Sequence, residues 1–212
     1  MNSILKTLIK RYPPLAFCEN EIRSAAELLI ESYKKGGKLL LCGNGGSASD
    51  ADHIVGELMK SFSKKRAVDS ELAKNLRAIS ETRGDLLAST LEGALPAVSL
   101  NAHGALLSAI LNDIGGDFVF AQQVVALGKK GDVLLAISTS GNSQNVIDAC
   151  IVAKAKGVST LGLTGKMGGE LKNLCDVAIC VPAVQTAEVQ EYHLPIYHAL
   201  CITLEETFFK YG

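Results

Sequence analysis

The sequence has no excess of charge of either sign. Its 212 residues carry 21 Lys and Arg against 22 Asp and Glu, a formal net charge of −1. That excludes the electrostatic footprint of a non-specific nucleic-acid binder. No long run of one sign supplies it locally, since "KKGGK" and "SKKR" are short and read as solvated loops. No apolar run is long enough to span a bilayer. Charges interrupt the opening "MNSILKTLIKRYPPL", which does not read as a signal peptide. The six cysteines contain no CxxC pair, and their spacings form no zinc ribbon. Several lie in apolar runs such as "LLLCG" and "VAICVP", where buried free thiols are expected, and with them a reducing compartment. These absences point to a cytoplasmic protein with neither nucleic acid nor membrane as a partner.

What the chain does have is apolar residues, 48% of the total, enough for one domain over 1–212 with a sizeable core. Residues 1–35 read as helical. Ile22, Ala25, Ala26, Leu29 and Tyr33 fall at helical spacing, and Gly36 and Gly37 act as a stop. Five short apolar runs follow as strands: "KLLLCG", "ALPAVSLNA", "GDVLLAISTSG", "STLGLTG" and "CDVAICVP". Helical patterns separate them, in "SASDADHIVGELMKSF", "HGALLSAILND", "NSQNVIDACIVAKAKG" and a long last stretch from about Thr186 to Lys210. Strands that are apolar throughout, alternating with amphipathic helices, predict a doubly wound α/β fold, a five-stranded parallel sheet covered on both faces. Residues 64–95 fit this alternation less well and read as a small helical insertion, carried by Leu72, Leu76 and Ile79 and then by Leu86, Leu87 and Leu91.

Ligands of open α/β sheets sit beyond the carboxyl ends of the strands. Two strand-to-helix turns there share one chemistry: "CGNGGSAS" (42–49) and "ISTSGNS" (137–143). Glycine lets backbone approach a ligand closely, free N–H groups at a helix start attract an anion, and hydroxyls donate to phosphate oxygens. Neither turn has the lysine of a nucleoside-triphosphate loop. The first places Ala48 at the third position of a dinucleotide fingerprint and has no matching ribose-binding acid downstream. A monophosphate fits both turns. On the helix after the first turn, His53 and Glu57 are four residues apart and share a face, and both residue types ligate zinc.

The pair "GNGGS" and "STSGNS" resembles the sugar isomerase (SIS) domain family. With "DADHIVGEL", "ND" at 112–113, "LTGKMGGEL" and "VQEYHLPIYH", the chain is similar to the phosphoheptose isomerases over nearly its whole length outside 64–95. The resemblance implies isomerisation of sedoheptulose 7-phosphate to D-glycero-D-manno-heptose 7-phosphate for surface-polysaccharide synthesis, by a homotetramer with interface active sites. It implies that Ser138, Thr139, Ser140 and Ser143 hold the phosphate. Asn44, Gly45, Gly46, Asn112 and Asp113 would contact the sugar phosphate, Glu57 and Gln190 would also line its site, and His53, Glu57, Gln190 and His198 would hold zinc. Glu57 and His198 match the family's acid/base pair.

The chemistry is coherent on its own terms. An enediol route needs one group to move a proton between carbons and another to serve the oxygens, and a carboxylate and an imidazole suit these roles. Glu57 is assigned to carbon and His198 to oxygen, with the reverse open on sequence alone. Gln190 and His198 lie eight residues apart, about 12 Å along a helix. Either Pro195 kinks that helix, or the two serve different sites shared between chains, which is the preferred expectation. His193 reads as a supporting or interface group and His103 as part of a helix cap. The competing readings are an SIS protein that regulates without catalysis, as one that associates with the replication initiator does, or an isomerase of another sugar phosphate. Gly56 stands where an acidic residue is common in the family, and the 64–95 segment is placed to lid or reshape the pocket.

Overall fold

Every residue of β1 (Leu39–Gly43) is buried. Leu39 and Leu41 face one apolar core, while Leu40 and Cys42 face another. A strand that must be apolar on both sides lies inside a sheet covered on both faces. The computed structural model, which describes residues 2–209, builds that sheet from β1, β2 (Ala97–Ser99), β3 (Val133–Ile137), β4 (Ser159–Thr164) and β5 (Val177–Cys180). Its order is β2-β1-β3-β4-β5, with every neighbouring pair parallel. The expected fold class is the observed one. The order reverses between β1 and β3, so the crevice for a ligand opens beyond these two strands.

One core receives α1 (Asn2–Arg11), α2 (Glu19–Lys34), α3 (Gly46–Met59) and α10 (Thr186–Phe208). The other receives α6 (Gly104–Asp113), α7 (Ala121–Leu127), α8 (Gln144–Ala155) and α9 (Leu171–Leu174). The helical opening is split in two, because Pro13 and Pro14 start a 3-10 turn over Pro13–Cys18. The helices α7 and α9 were not read from the sequence, being too short to display a period. The proposed end of the last helix at Lys210 lies outside the described residues. Among those residues, no helix is long and apolar enough to cross a membrane.

The 64–95 stretch forms two helices, α4 (Ser70–Ile79) and α5 (Glu81–Thr90), packed on each other. Asp69 caps α4 by accepting from the Leu72 amide at 2.9 Å. The helices approach so closely that a Cβ on Gly84 would sit 2.1 Å from the Leu76 carbonyl oxygen. Little of the pair is covered, and Ile79 is 85% exposed.

All six cysteines are free, five of them buried and Cys175 half-buried. The "SKKR" reading needs correction. Arg66 is no solvated loop residue but is 1% exposed, because a buried carboxylate and two backbone carbonyls take its guanidinium.

Candidate active site

Both hydroxyl turns lie side by side at the carboxyl ends of β1 and β3. In the first, Gly45 adopts φ +55°, a conformation other residues rarely tolerate. A Cβ on Gly43 would lie 2.8 Å from Ser47, and one on Gly46 would lie 2.5 Å from Gln190 Nε2. These glycines let the chain enter α3 tightly and let α10 rest on its first turn. Asn44 does not stand alone beside the crevice. It exchanges two amide hydrogen bonds with Asn145, on the first turn of α8, at 2.9 and 3.0 Å. The two turns are therefore tied to each other.

In the second turn three hydroxyls converge. Ser138 Oγ is 2.9 Å from Ser143 Oγ and 3.5 Å from Ser140 Oγ. Ser143 is the N-cap of α8, yet its side chain makes no capping bond and meets Ser138 instead. Gly141, at φ +71°, packs against Gly168 where a Cβ would meet backbone at 2.1 Å. Thr139 closes the turn, its carbonyl accepting from the Gly165 amide at 3.1 Å. Converging hydroxyls at a helix N-terminus form an anion cradle.

The third part is the seam between α3 and α10, which run parallel in fixed register. Gln190 rests on Gly46, Tyr197 meets His53, and Glu205 meets Phe62 and Ser63 just past the end of α3. In the middle of the seam, His53 Nε2 lies 3.0 Å from Glu57 Oε1. The His198 ring stands 5.2 Å from that of His53 at 81°, and 5.1 Å from that of Tyr197 at 88°. His198 Nε2 is buried and has no partner among the described residues. Burial pushes its pKa down, His53 adds to that, and Glu57 opposes it. Burial thus favours the neutral imidazole, and its Nε2 is left free to take part in proton transfer.

Sequence reasoning missed the groups that hold this cluster. The Tyr197 hydroxyl donates to Asp50 Oδ1 at 3.2 Å and lies 3.1 Å from His53 Nδ1. Burial raises the Asp50 carboxyl, opposed by Tyr197 and His53. Below the cluster, Arg66 donates to Glu205 at 2.7 Å, to the Leu58 carbonyl at 2.8 Å and to the Glu57 carbonyl at 2.9 Å. It therefore ties off the last carbonyls of the helix that carries Glu57. Glu205 also accepts from the Phe62 and Ser63 amides at 3.0 Å and from the Ser63 hydroxyl. Burial works to raise the Glu205 carboxyl, but the bonds from Ser63, Phe62 and Arg66 overcome it and push it down to about 2. The only sequence signal was weak, an arginine in a basic cluster and a glutamate on an apolar helix.

Other expected site residues are placed differently. Asn112 and Asp113 end α6 and are exposed, with Asn112 donating to Asp113 at 2.7 Å. His103 caps α6, its Nδ1 accepting from the Leu106 amide at 3.3 Å, as the cap reading anticipated. His193 is fully buried, neither ring nitrogen makes a well-formed hydrogen bond among the described residues, and burial pushes its pKa down to about 4 against the opposing pull of the Thr164 backbone. An open groove of about 580 Å³ between α1 and α10 reaches His198 and Phe62. A larger apolar cavity of about 730 Å³ lies away from this chemistry, between β2, α6 and α7.

The donors suit zinc in kind, with an imidazole and a carboxylate 3.0 Å apart and a second imidazole carrying an unpartnered nitrogen. Among the described residues, no three His, Cys, Asp or Glu side chains close on one point as a metal-holding group. Gln190 stands at the level of Gly46, about 12 Å of helical rise from His198.

The sequence profile of the SIS domain matches residues 15–98 and 84–165. A phosphoheptose isomerase of Nitratiruptor is 43% identical over 203 residues, covering 96% of this chain and 93% of the relative. The chain belongs to the SIS-domain phosphoheptose isomerase family. A second relative of that name, from Campylobacter jejuni, is 43% identical over 190 residues, covering 90% of this chain and 88% of its own. Among solved structures, the phosphoheptose isomerase of Francisella tularensis superposes with a TM-score of 0.76 at 31% identity, covering 97% of this chain and 96% of the other. That of Neisseria gonorrhoeae gives 0.73 at 34%, covering 95% and 94%.

Proposed function

We propose that this isomerase converts sedoheptulose 7-phosphate to D-glycero-D-manno-heptose 7-phosphate through an enediol. The observation that carries the reading is the convergence of Ser138, Ser140 and Ser143 at the start of α8, beside a seam holding Glu57 and His198. The hydroxyl cradle, with Thr139 in the same turn, anchors the phosphate. Asn44, Gly45 and Gly46 guide the sugar, with Gln190 above them.

Glu57 takes a proton from C1 as His198 gives one to the C2 oxygen, forming the enediol. His198 then takes the proton from the C1 hydroxyl, and Glu57 returns its proton to C2, leaving the aldehyde. Each group ends as it began, so the cycle balances. Zinc held by His53, Glu57, Gln190 and His198 supplies, when bound, a Lewis acid for the carbonyl. The separation of Gln190 from His198 along α10 favours sites shared between chains of a homotetramer, in which Asn112 and Asp113 reach a neighbour's sugar phosphate. The chain acts as one domain in the cytoplasm, and its product feeds surface-polysaccharide synthesis.

The test is turnover of sedoheptulose 7-phosphate by the purified protein, before and after chelation and on return of zinc. Aldose formation is the expected result, lost on chelation and restored by zinc. No turnover in any condition overturns the substrate assignment, and turnover indifferent to chelation overturns the metal's part.

A further inference from the structure

We infer that Tyr197, anchored by Asp50, is a positioning residue that fixes His53 as its Nδ1–H tautomer and turns a bare Nε2 toward Glu57. The argument is one of counting protons. A tyrosine hydroxyl has one proton to give, and an ionised carboxylate has none. Tyr197 Oη lies 3.2 Å from Asp50 Oδ1 and 3.1 Å from His53 Nδ1. Asp50 and Glu57 both end this chain as acceptors. Asp50 Oδ2 is buried with no partner among the described residues, while the His53–Glu57 end is open to solvent, so the Tyr197 proton goes to Asp50. The tyrosine oxygen must then accept from the other neighbour, and His53 Nδ1 is the atom placed to donate.

A neutral imidazole protonated at Nδ1 carries no proton at Nε2. That nitrogen lies 3.0 Å from Glu57 Oε1, which is also an acceptor. Two acceptors held at hydrogen-bond distance repel each other unless a positive centre joins them. The pair is therefore built to take one cation, either a proton or a divalent metal. Fixing the second nitrogen of an imidazole is how proteins orient and strengthen a metal-ligating histidine. Here that task passes through a tyrosine oxygen. The ring is held as well, edge-on to Tyr197 at 5.5 Å between centroids and to His198 at 5.2 Å. Tyr197 is 1% exposed, so water does not compete for its hydroxyl.

The test is 15N NMR of the labelled, metal-free full chain at about pH 8, where an ordinary imidazole is neutral. A His53→Gln variant assigns the signals. Wild type is expected to show a protonated Nδ1 and a bare Nε2. Tyr197→Phe keeps the ring contacts, removes the hydroxyl and is expected to give mixed tautomers. Asp50→Leu frees the hydroxyl to donate to Nδ1 and is expected to move the proton to Nε2. Zinc alone, titrated into the protein, is expected to bind about tenfold more weakly to Tyr197→Phe than to wild type. A wild-type His53 protonated at Nε2, or a tautomer unchanged in both variants, overturns the inference. Only the kinetic arm rests on the isomerase reading, and there Tyr197→Phe is expected to lower kcat about tenfold with KM nearly unchanged. A wild type with the stated tautomer but no turnover of sedoheptulose 7-phosphate overturns the substrate assignment and upholds the role of Tyr197.

Discussion

The α3–α10 seam carries two polar clusters about two turns apart, and they are opposites. At its lower end Arg66 and Glu205 are wholly buried, and every Glu205 contact is a hydrogen bond from a fixed donor. In the middle, the His53 side chain is 41% exposed, Glu57 is part-buried, and His198 Nε2 has no partner among the described residues. The same two helices in the same register supply both. A buried charge pair is stable only when its bonds are complete, whereas a site that moves protons needs capacity left open. The lower cluster sets the positions, and the middle one keeps the reactive capacity.

The largest effect expected from breaking this contrast is on turnover. Glu57→Gln preserves the size of the side chain and removes its basicity. It is expected to lower kcat by about 10³-fold, the scale of a lost general base, about 4 kcal/mol of barrier, with KM little changed. Steady-state kinetics on sedoheptulose 7-phosphate reads both values. A variant with near wild-type kcat would place the base elsewhere and dissolve the distinction between the two clusters.

Next in size is the lower cluster. Arg66→Met leaves Glu205 charged and buried with one partner missing, and is expected to cost about 3–5 kcal/mol in denaturant unfolding. The double variant Arg66→Met, Glu205→Leu is expected to recover much of that stability. It should not recover full activity, because the Glu57 carbonyl still lacks the guanidinium and the Leu58 carbonyl keeps only the Leu95 amide. The carboxyl also gives a pH signature. Its folded pKa, about 2, lies below the ordinary 4.5, so the native state holds fewer protons than the unfolded one between these values. The stabilisation is present above about pH 4.5 and lost as pH falls toward 2, about 3 kcal/mol in all. The difference in stability between wild type and Glu205→Gln, measured down that range, should shrink accordingly, and a constant difference would refute the assignment.

The clusters also differed in how readable they were. The sheet was legible because a strand covered on both faces must be apolar throughout, and "LLLCG" and "VLLAI" say so locally. The hydroxyl turns were legible for a similar reason, as glycines and serines at strand ends are a short-range pattern. His53 and Glu57 could be paired by helical spacing alone. Arg66 could not be read, because its partner Glu205 is 139 residues away and its own surroundings, "SKKR", look like a solvated loop. Nothing in the sequence singles out Tyr197, because only the packing of α10 on α3 brings its hydroxyl to Asp50 and His53. Local chemistry was visible where one element carries it, and hidden where two distant elements share it.

The smallest expected effect falls on the link between the two turns. Asn145→Ala removes both amide bonds to Asn44, which are exposed and so partly replaced by water. Each such bond contributes about 1 kcal/mol at most. Stability should fall by about 1 kcal/mol or less, and KM for the sugar phosphate should rise a few-fold as Asn44 loses its fixed orientation, with kcat held. A kcat that fell as far as KM rose would mean that the amide pair takes part in the transition state. Reaction-critical capacity would then extend from the α3–α10 seam into the phosphate turns.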